Sequence, residues 1–124
     1  MTIIEAINRI DKLLHNTYSQ EDKITWLSRV DHMVYNHIVK THEGAERVSF
    51  SGYNETTDID TMLLVPEPYS EVYIRWLEAQ IHYANGEYGK YNNAIIQFNT
   101  EYEAYSNYYN RNHMPLHSGT RFIF

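Results

Sequence analysis

The sequence predicts an all-α protein, a small bundle of about four helices with a long acidic loop and an extended C-terminal tail. Three observations lead there. Apolar residues recur at steps of three and four over separate stretches, residues that open and close helices stand at the ends of those stretches, and no run alternates long enough to build a sheet. A chain of 124 residues suffices for one domain with one modest core, so 1–124 is read as a single unit with 112–124 as the tail.

The first helix is expected from about Ile3 to His15. Thr2 followed three residues later by Glu5 is a capping-box pattern, and Ile3, Ile7, Ile10 and Leu14 line one face. Ser19 with Asp22 repeats the start signal, and Ile24, Leu27, Val30, Val34 and Ile38 carry a second helix to about Thr41. The short connection between them favours antiparallel neighbours.

From His42 to Pro66 the periodicity fails, which indicates a connection of over twenty residues. Loops that long are uncommon in compact domains and are usually functional or mobile. Within it, Arg47-Val48-Ser49-Phe50 alternates weakly, which allows a short strand or pairing with a neighbouring chain. A third helix is expected to open near Pro68, whose missing N–H suits a first turn, with Glu71 near the positive end of the helix dipole.

The longest pattern in the chain runs through Ile74, Leu77, Ile81, Ala84, Tyr88, Tyr91, Ile95, Phe98, Tyr102, Tyr105 and Tyr109. Asn85-Gly86 makes a good C-terminal cap and Gly89 follows, so two helices, about 68–84 and 87–110, are preferred over one long helix, although the spacing keeps its phase through the break. The tail, Met114–Phe124, contains Pro115 and Gly119, has no acid, and finishes Arg121-Phe122-Ile123-Phe124.

Charge is unevenly placed. Residues 41–71 hold seven acids against the single base Arg47, while the remaining nine acids and nine bases cancel. Such a block reads as a solvated segment or as a docking surface for something basic, with Glu55, Asp58 and Asp60 at its centre. It argues against non-specific nucleic-acid binding, which needs a basic face. No apolar run approaches 18 residues and no basic, apolar leader opens the chain, so no membrane span and an intracellular setting are expected. Cysteine is absent, which removes disulfides, thiol catalysis and thiolate metal sites.

No constellation supports catalysis or a cofactor. His32 and His37 are five apart and do not share a helical face, and Pro115 lies between His113 and His117. Asp58-Ile59-Asp60 lacks the glycine and closing glutamate of a calcium loop, and there is no phosphate-cradling glycine loop or nucleophile elbow. The expectation is a protein that is not an enzyme and binds no metal.

The tyrosine stripe is the most specific signal. Left in water, the positions from Tyr88 onward would form an apolar patch on the order of several hundred Å², which monomers rarely tolerate. One reading makes the whole stripe this domain's core. The other notes that buried tyrosine hydroxyls need partners and that uncharged amides (Asn92, Asn93, Gln97, Asn99) flank the rings, a composition suited to a partly wet protein interface. On that reading the stretch up to Ala84 belongs to the core. Tyr88, Tyr91, Phe98, Tyr102, Tyr105 and Tyr109 then meet another chain, as do Phe122, Ile123 and Phe124 of the tail.

The strings Asp60-Thr61-Met62-Leu63-Leu64-Val65-Pro66-Glu67-Pro68-Tyr69, Trp76-Leu77-Glu78-Ala79-Gln80-Ile81, Ala84-Asn85-Gly86-Glu87 and Tyr91-Asn92-Asn93 carry a resemblance, with Phe98-Asn99, Tyr108-Tyr109-Asn110-Arg111 and Tyr18-Ser19-Gln20-Glu21-Asp22-Lys23. Together they resemble the head-tail connector, or adaptor, proteins encoded beside capsid genes in tailed phages and prophages. The resemblance covers most of the chain but contains no mechanistic signature. It implies a mostly helical structural subunit that assembles as a homo-oligomeric ring beneath the portal, with a dodecamer as one option, and joins head to tail. Its partners would be the portal protein and tail-side connector proteins, and it would sit at the head-tail junction of the virion after assembly in the bacterial cytoplasm. It implies no catalysis, no cofactor, no sequence-specific nucleic-acid binding and no membrane. A helical protein-protein interaction module of non-viral origin is the alternative.

Overall fold

In a computed structural model, described here for residues 1–116, the chain forms four α-helices: α1 (Ile3–Leu13), α2 (Gln20–Val34), α3 (Glu71–Ala84) and α4 (Tyr88–Asn112). The first begins as the sequence dictates. Thr2 Oγ1 accepts the Glu5 N–H at 3.2 Å while Glu5 Oε1 accepts the Thr2 N–H at 2.8 Å, closing the capping box. Two further N–H groups at this end, on Ile3 and Ile4, have no intrahelical acceptor and donate to the carbonyls of Thr61 and Ile59 at 3.0 and 2.9 Å. The long loop therefore completes the helix start.

α1 ends two residues earlier than its periodicity suggests. Leu14 is extended, and the Asn16 side chain donates to its carbonyl at 2.9 Å and accepts from the Tyr18 N–H at 3.2 Å, so the turn into α2 forms locally. Ser19 Oγ then caps α2 by accepting the Asp22 N–H at 3.0 Å. α2 continues into a π-helical turn, Tyr35–Val39, marked by the Lys40 N–H donating to Tyr35 C=O at 2.8 Å. The helical path thus reaches the region expected, with a wider last turn that buries Ile38 and Val39 side by side.

The loop is not a solvated spacer. Residues 47–50 form no strand, and Ala45–Arg47 instead makes one 3₁₀ turn after Gly44. Leu63 and Val65 are buried, and Phe50 packs edge-on against His32 and Tyr53 at ring separations of 4.8 and 5.1 Å. α3 opens at Glu71 rather than Pro68. Pro68, in a cis peptide with Glu67, occupies a turn closed by the Tyr69 N–H on Pro66 C=O at 2.9 Å. Ser70 occupies the cap position, but its hydroxyl donates to Glu67 instead of serving the helix.

α3 and α4 are separate helices. Gly86 takes a left-handed φ of 78°, its N–H donates to Tyr83 C=O at 3.0 Å, and the Glu87 N–H reaches back to His82 C=O at 2.9 Å. These two bonds form a Schellman closure, which only glycine enters at little steric cost. The core gathers Ile3, Ile7 and Ile10, Ile24, Leu27 and Val34, and Val72, Ile74, Leu77 and Ile81 from the first three helices. α4 packs chiefly along α3. Among the described residues the only β-pairings are single bridges, Thr2 with Met62 and His42 with Pro115.

Candidate subunit interface

Ile74, Leu77 and Ile81 lie in the core as expected, but the tyrosine-rich stretch beyond Gly86 divides in its turn. Its far end, Phe98, Tyr105 and Tyr109, is 3, 3 and 9% exposed and joins the core of the chain itself. All three are therefore covered within the chain itself, although Tyr109 also lines the open cleft at the end of α4. The cause is cover from other parts of the chain, which periodicity along α4 does not reveal: Trp76 lies over Phe98 at 5.0 Å, Tyr69 over Tyr105 at 5.8 Å, and His42 edge-on to Tyr109 at 5.0 Å. Burial pushes the Tyr105 and Tyr109 phenols up from their ordinary range. Tyr102 is half-buried, and its hydroxyl is enclosed without a hydrogen-bond partner among the described residues.

The near end faces outward. Tyr88 is 60% exposed and Tyr91 half-buried, and both meet Tyr83, which is itself 56% exposed, at ring separations of 5.5 and 5.1 Å. Two turns further along α4, Ile96 is 62% exposed. Tyr88, Asn92 and Ile96 share one face of the helix, so the exposed aromatic tip continues as an apolar strip. Of the exposed residues between Tyr88 and Asn112 only Lys90, Glu103 and Arg111 are charged, and seven are amides. Sequence reasoning missed Tyr83 and Ile96. Ile96 was legible as a surplus apolar residue beside Ile95, out of phase with the face that α3 covers.

The acidic segment is ordered by its own turns. Asn54 Oδ1 accepts from the Thr56 N–H at 2.8 Å and Asp58 Oδ1 from the Asp60 N–H at 2.9 Å. Glu55, Asp58 and Asp60 are exposed, and none makes an ion pair among the described residues. Phe122, Ile123 and Phe124 lie outside the described residues. No family model, curated protein or solved structure matches this chain.

A second polar arrangement is internal. Asp31, fully buried on α2, accepts from the hydroxyls of Tyr53 at 2.5 Å and Tyr73 at 2.6 Å and from the Leu64 N–H at 3.1 Å. Tyr73 in turn accepts the Val65 N–H at 2.6 Å. The network fastens the loop between α2 and α3. Burial is the largest influence on Asp31 and raises its pKa against the lowering effect of its three donors, while burial and the carboxylate together push both phenols upward. Every polar atom of Asp31 is partnered inside the fold, so the group serves architecture.

At the other end of the molecule His42 is buried, with Nδ1 2.6 Å from Ile38 O and Nε2 2.5 Å from Asn110 Oδ1. Beside it the chain leaving α4 pairs with residues 41–43. Between the turn at Gly44 and the last turn of α4 lies an open cleft of about 550 Å³, walled by Glu43, Glu46, Arg47, Val48, Tyr109 and His113. The Tyr109 and His113 rings stack in parallel at 3.9 Å. Among the described residues no three His, Asp or Glu side chains converge as a metal site would require, and no helix is long and apolar enough to cross a membrane.

Proposed function

We propose that this chain is a structural subunit without catalytic activity, a head-tail connector that assembles as a ring beneath the portal of a tailed phage or prophage and joins head to tail. The observation that carries the proposal is the outer face of α4. A 25-residue helix covered mainly by α3 presents Tyr88, Ile96 and a row of amides to solvent, with the exposed Tyr83 at its tip. Uncharged polar and aromatic surface of that kind loses little on being covered, because few charges must be desolvated and each amide can bond across a contact. The resemblance of the Asp60–Tyr69 and Trp76–Glu87 strings to connector proteins supplies the particular assembly. The acidic segment would face the lumen, where it would not grip passing DNA, or a basic rim of the portal.

One observation favours a helical interaction module that forms no ring. With Phe98, Tyr105 and Tyr109 in the core, α4 leaves one aromatic face uncovered among the described residues, whereas a ring subunit must present two different ones. Electron microscopy of the purified protein, alone and mixed with portal, separates the readings. Rings on the portal are expected; a monomer at high concentration with portal present would overturn the connector proposal.

A further inference from the structure

The cleft beside α4 and the chain that passes it point to the second face of the proposed ring. Glu43 N–H donates to Met114 C=O at 2.9 Å and Leu116 N–H donates to Thr41 C=O at 2.9 Å, an antiparallel pairing. From Met114 to Leu116 the chain therefore travels from Glu43 toward Thr41. The cleft lies on the other side of Glu43, among residues 44–48, so the chain leaves its own cleft behind. Before Thr41 the edge itself gives way to the π-helical turn of Tyr35–Val39.

Eight residues follow Leu116, and eight extended residues span about 26 Å. They carry Arg121 and no acid, and they include Phe122, Ile123 and Phe124. The cleft offers the complementary chemistry: Glu43 and Glu46 against the single base Arg47, with Val48 and the Tyr109–His113 stack as its apolar wall. Met114 and Leu116, 61 and 53% exposed, begin the same apolar strip on the departing chain.

We propose that residues 117–124 of one copy dock in this cleft of a second copy, Arg121 against Glu43 and Glu46 and the aromatic side chains against Val48 and the ring stack. The contact is head to tail: each copy gives a tail and receives one, the arrangement that closes into a ring. The inference rests on the connector reading for its biological setting.

The native chain contains no cysteine, so a cysteine pair introduced into the full-length protein reports this contact directly. Glu46→Cys and Phe122→Cys are placed in the same chain, which is oxidised at high protein concentration and resolved without reductant. Tail exchange predicts a ladder of dimers and larger species, lost when Arg121→Glu is added. Closed monomers alone, or no cross-link at all, overturn the proposal. If rings form on the portal while the cross-linked species are only closed monomers, tail exchange fails and the connector reading stands. A ladder from a protein that neither forms rings nor binds portal sinks the connector reading and leaves tail exchange in place.

Discussion

Asp31 shows what a single residue does to this fold. Its position falls in phase with the apolar face of α2, between Leu27 and Val34 at steps of four and three, so a charge at a core position was legible in the sequence. What the sequence could not supply was its partners, because Tyr53, Leu64 and Tyr73 are between 22 and 42 residues distant. Asp31→Asn keeps the shape but puts amide hydrogens where one set of donors points, leaving the Leu64 N–H or a tyrosine hydroxyl without an acceptor. A loss of about 1–3 kcal/mol is expected. Because burial raises the Asp31 pKa above its unfolded value, its contribution to stability is present in full below the unfolded pKa and is lost as pH rises through the folded one. The stability gap between the native protein and Asp31→Asn should therefore widen as pH falls. Urea unfolding of both between pH 8 and pH 4.5 measures it, and a gap that shrinks with acid would refute the assignment.

At the scale of elements, the helix starts and stops were legible because they are local chemistry. Thr2 with Glu5, Ser19 with Asp22 and Asn85-Gly86 each act within a few residues, and all three operate as their patterns indicate. The fate of α4 was not local. Periodicity assigns a helix an apolar face, but it does not say which element covers that face, and Trp76, Tyr69 and His42 are brought over it only by the packing of α3 and the loop. Pro68 misled for a related reason: a proline suits a first helical turn and a preceding turn equally well in isolation. The two faces of α4 now predict different phenotypes. Phe98→Ala should cost about 3–5 kcal/mol of folding stability, since it empties a buried ring site. Ile96→Asp lies on the uncovered face and should change stability by less than about 0.5 kcal/mol while abolishing higher-order species. Thermal unfolding alongside sedimentation of both variants reads the contrast; an Ile96→Asp protein that still assembles would remove α4 from the interface.

For the molecule as a whole, the excess negative charge sits on one segment, and the structure places its central residues on the outside. The loop carrying them is fastened beneath by Leu63, Val65 and the Asp31 network, so its turns are fixed while Glu55 and Asp60 remain without ion pairs among the described residues. Unpaired exposed carboxylates contribute little to folding, and reversing them should leave the unfolding transition within about 0.5 kcal/mol of the native one. Their influence should appear at longer range. If the acidic surface meets a basic rim of the portal, Glu55→Lys with Asp60→Lys changes a favourable field into a repulsive one. Association then slows, and its salt dependence reverses, with added salt now relieving repulsion instead of screening attraction. Portal binding followed by surface plasmon resonance at about 0.05 and 0.5 M salt, where the screening lengths differ several-fold, tests this. A double variant that binds portal at the native rate, with the native response to salt, would place the acidic segment away from the proposed portal contact.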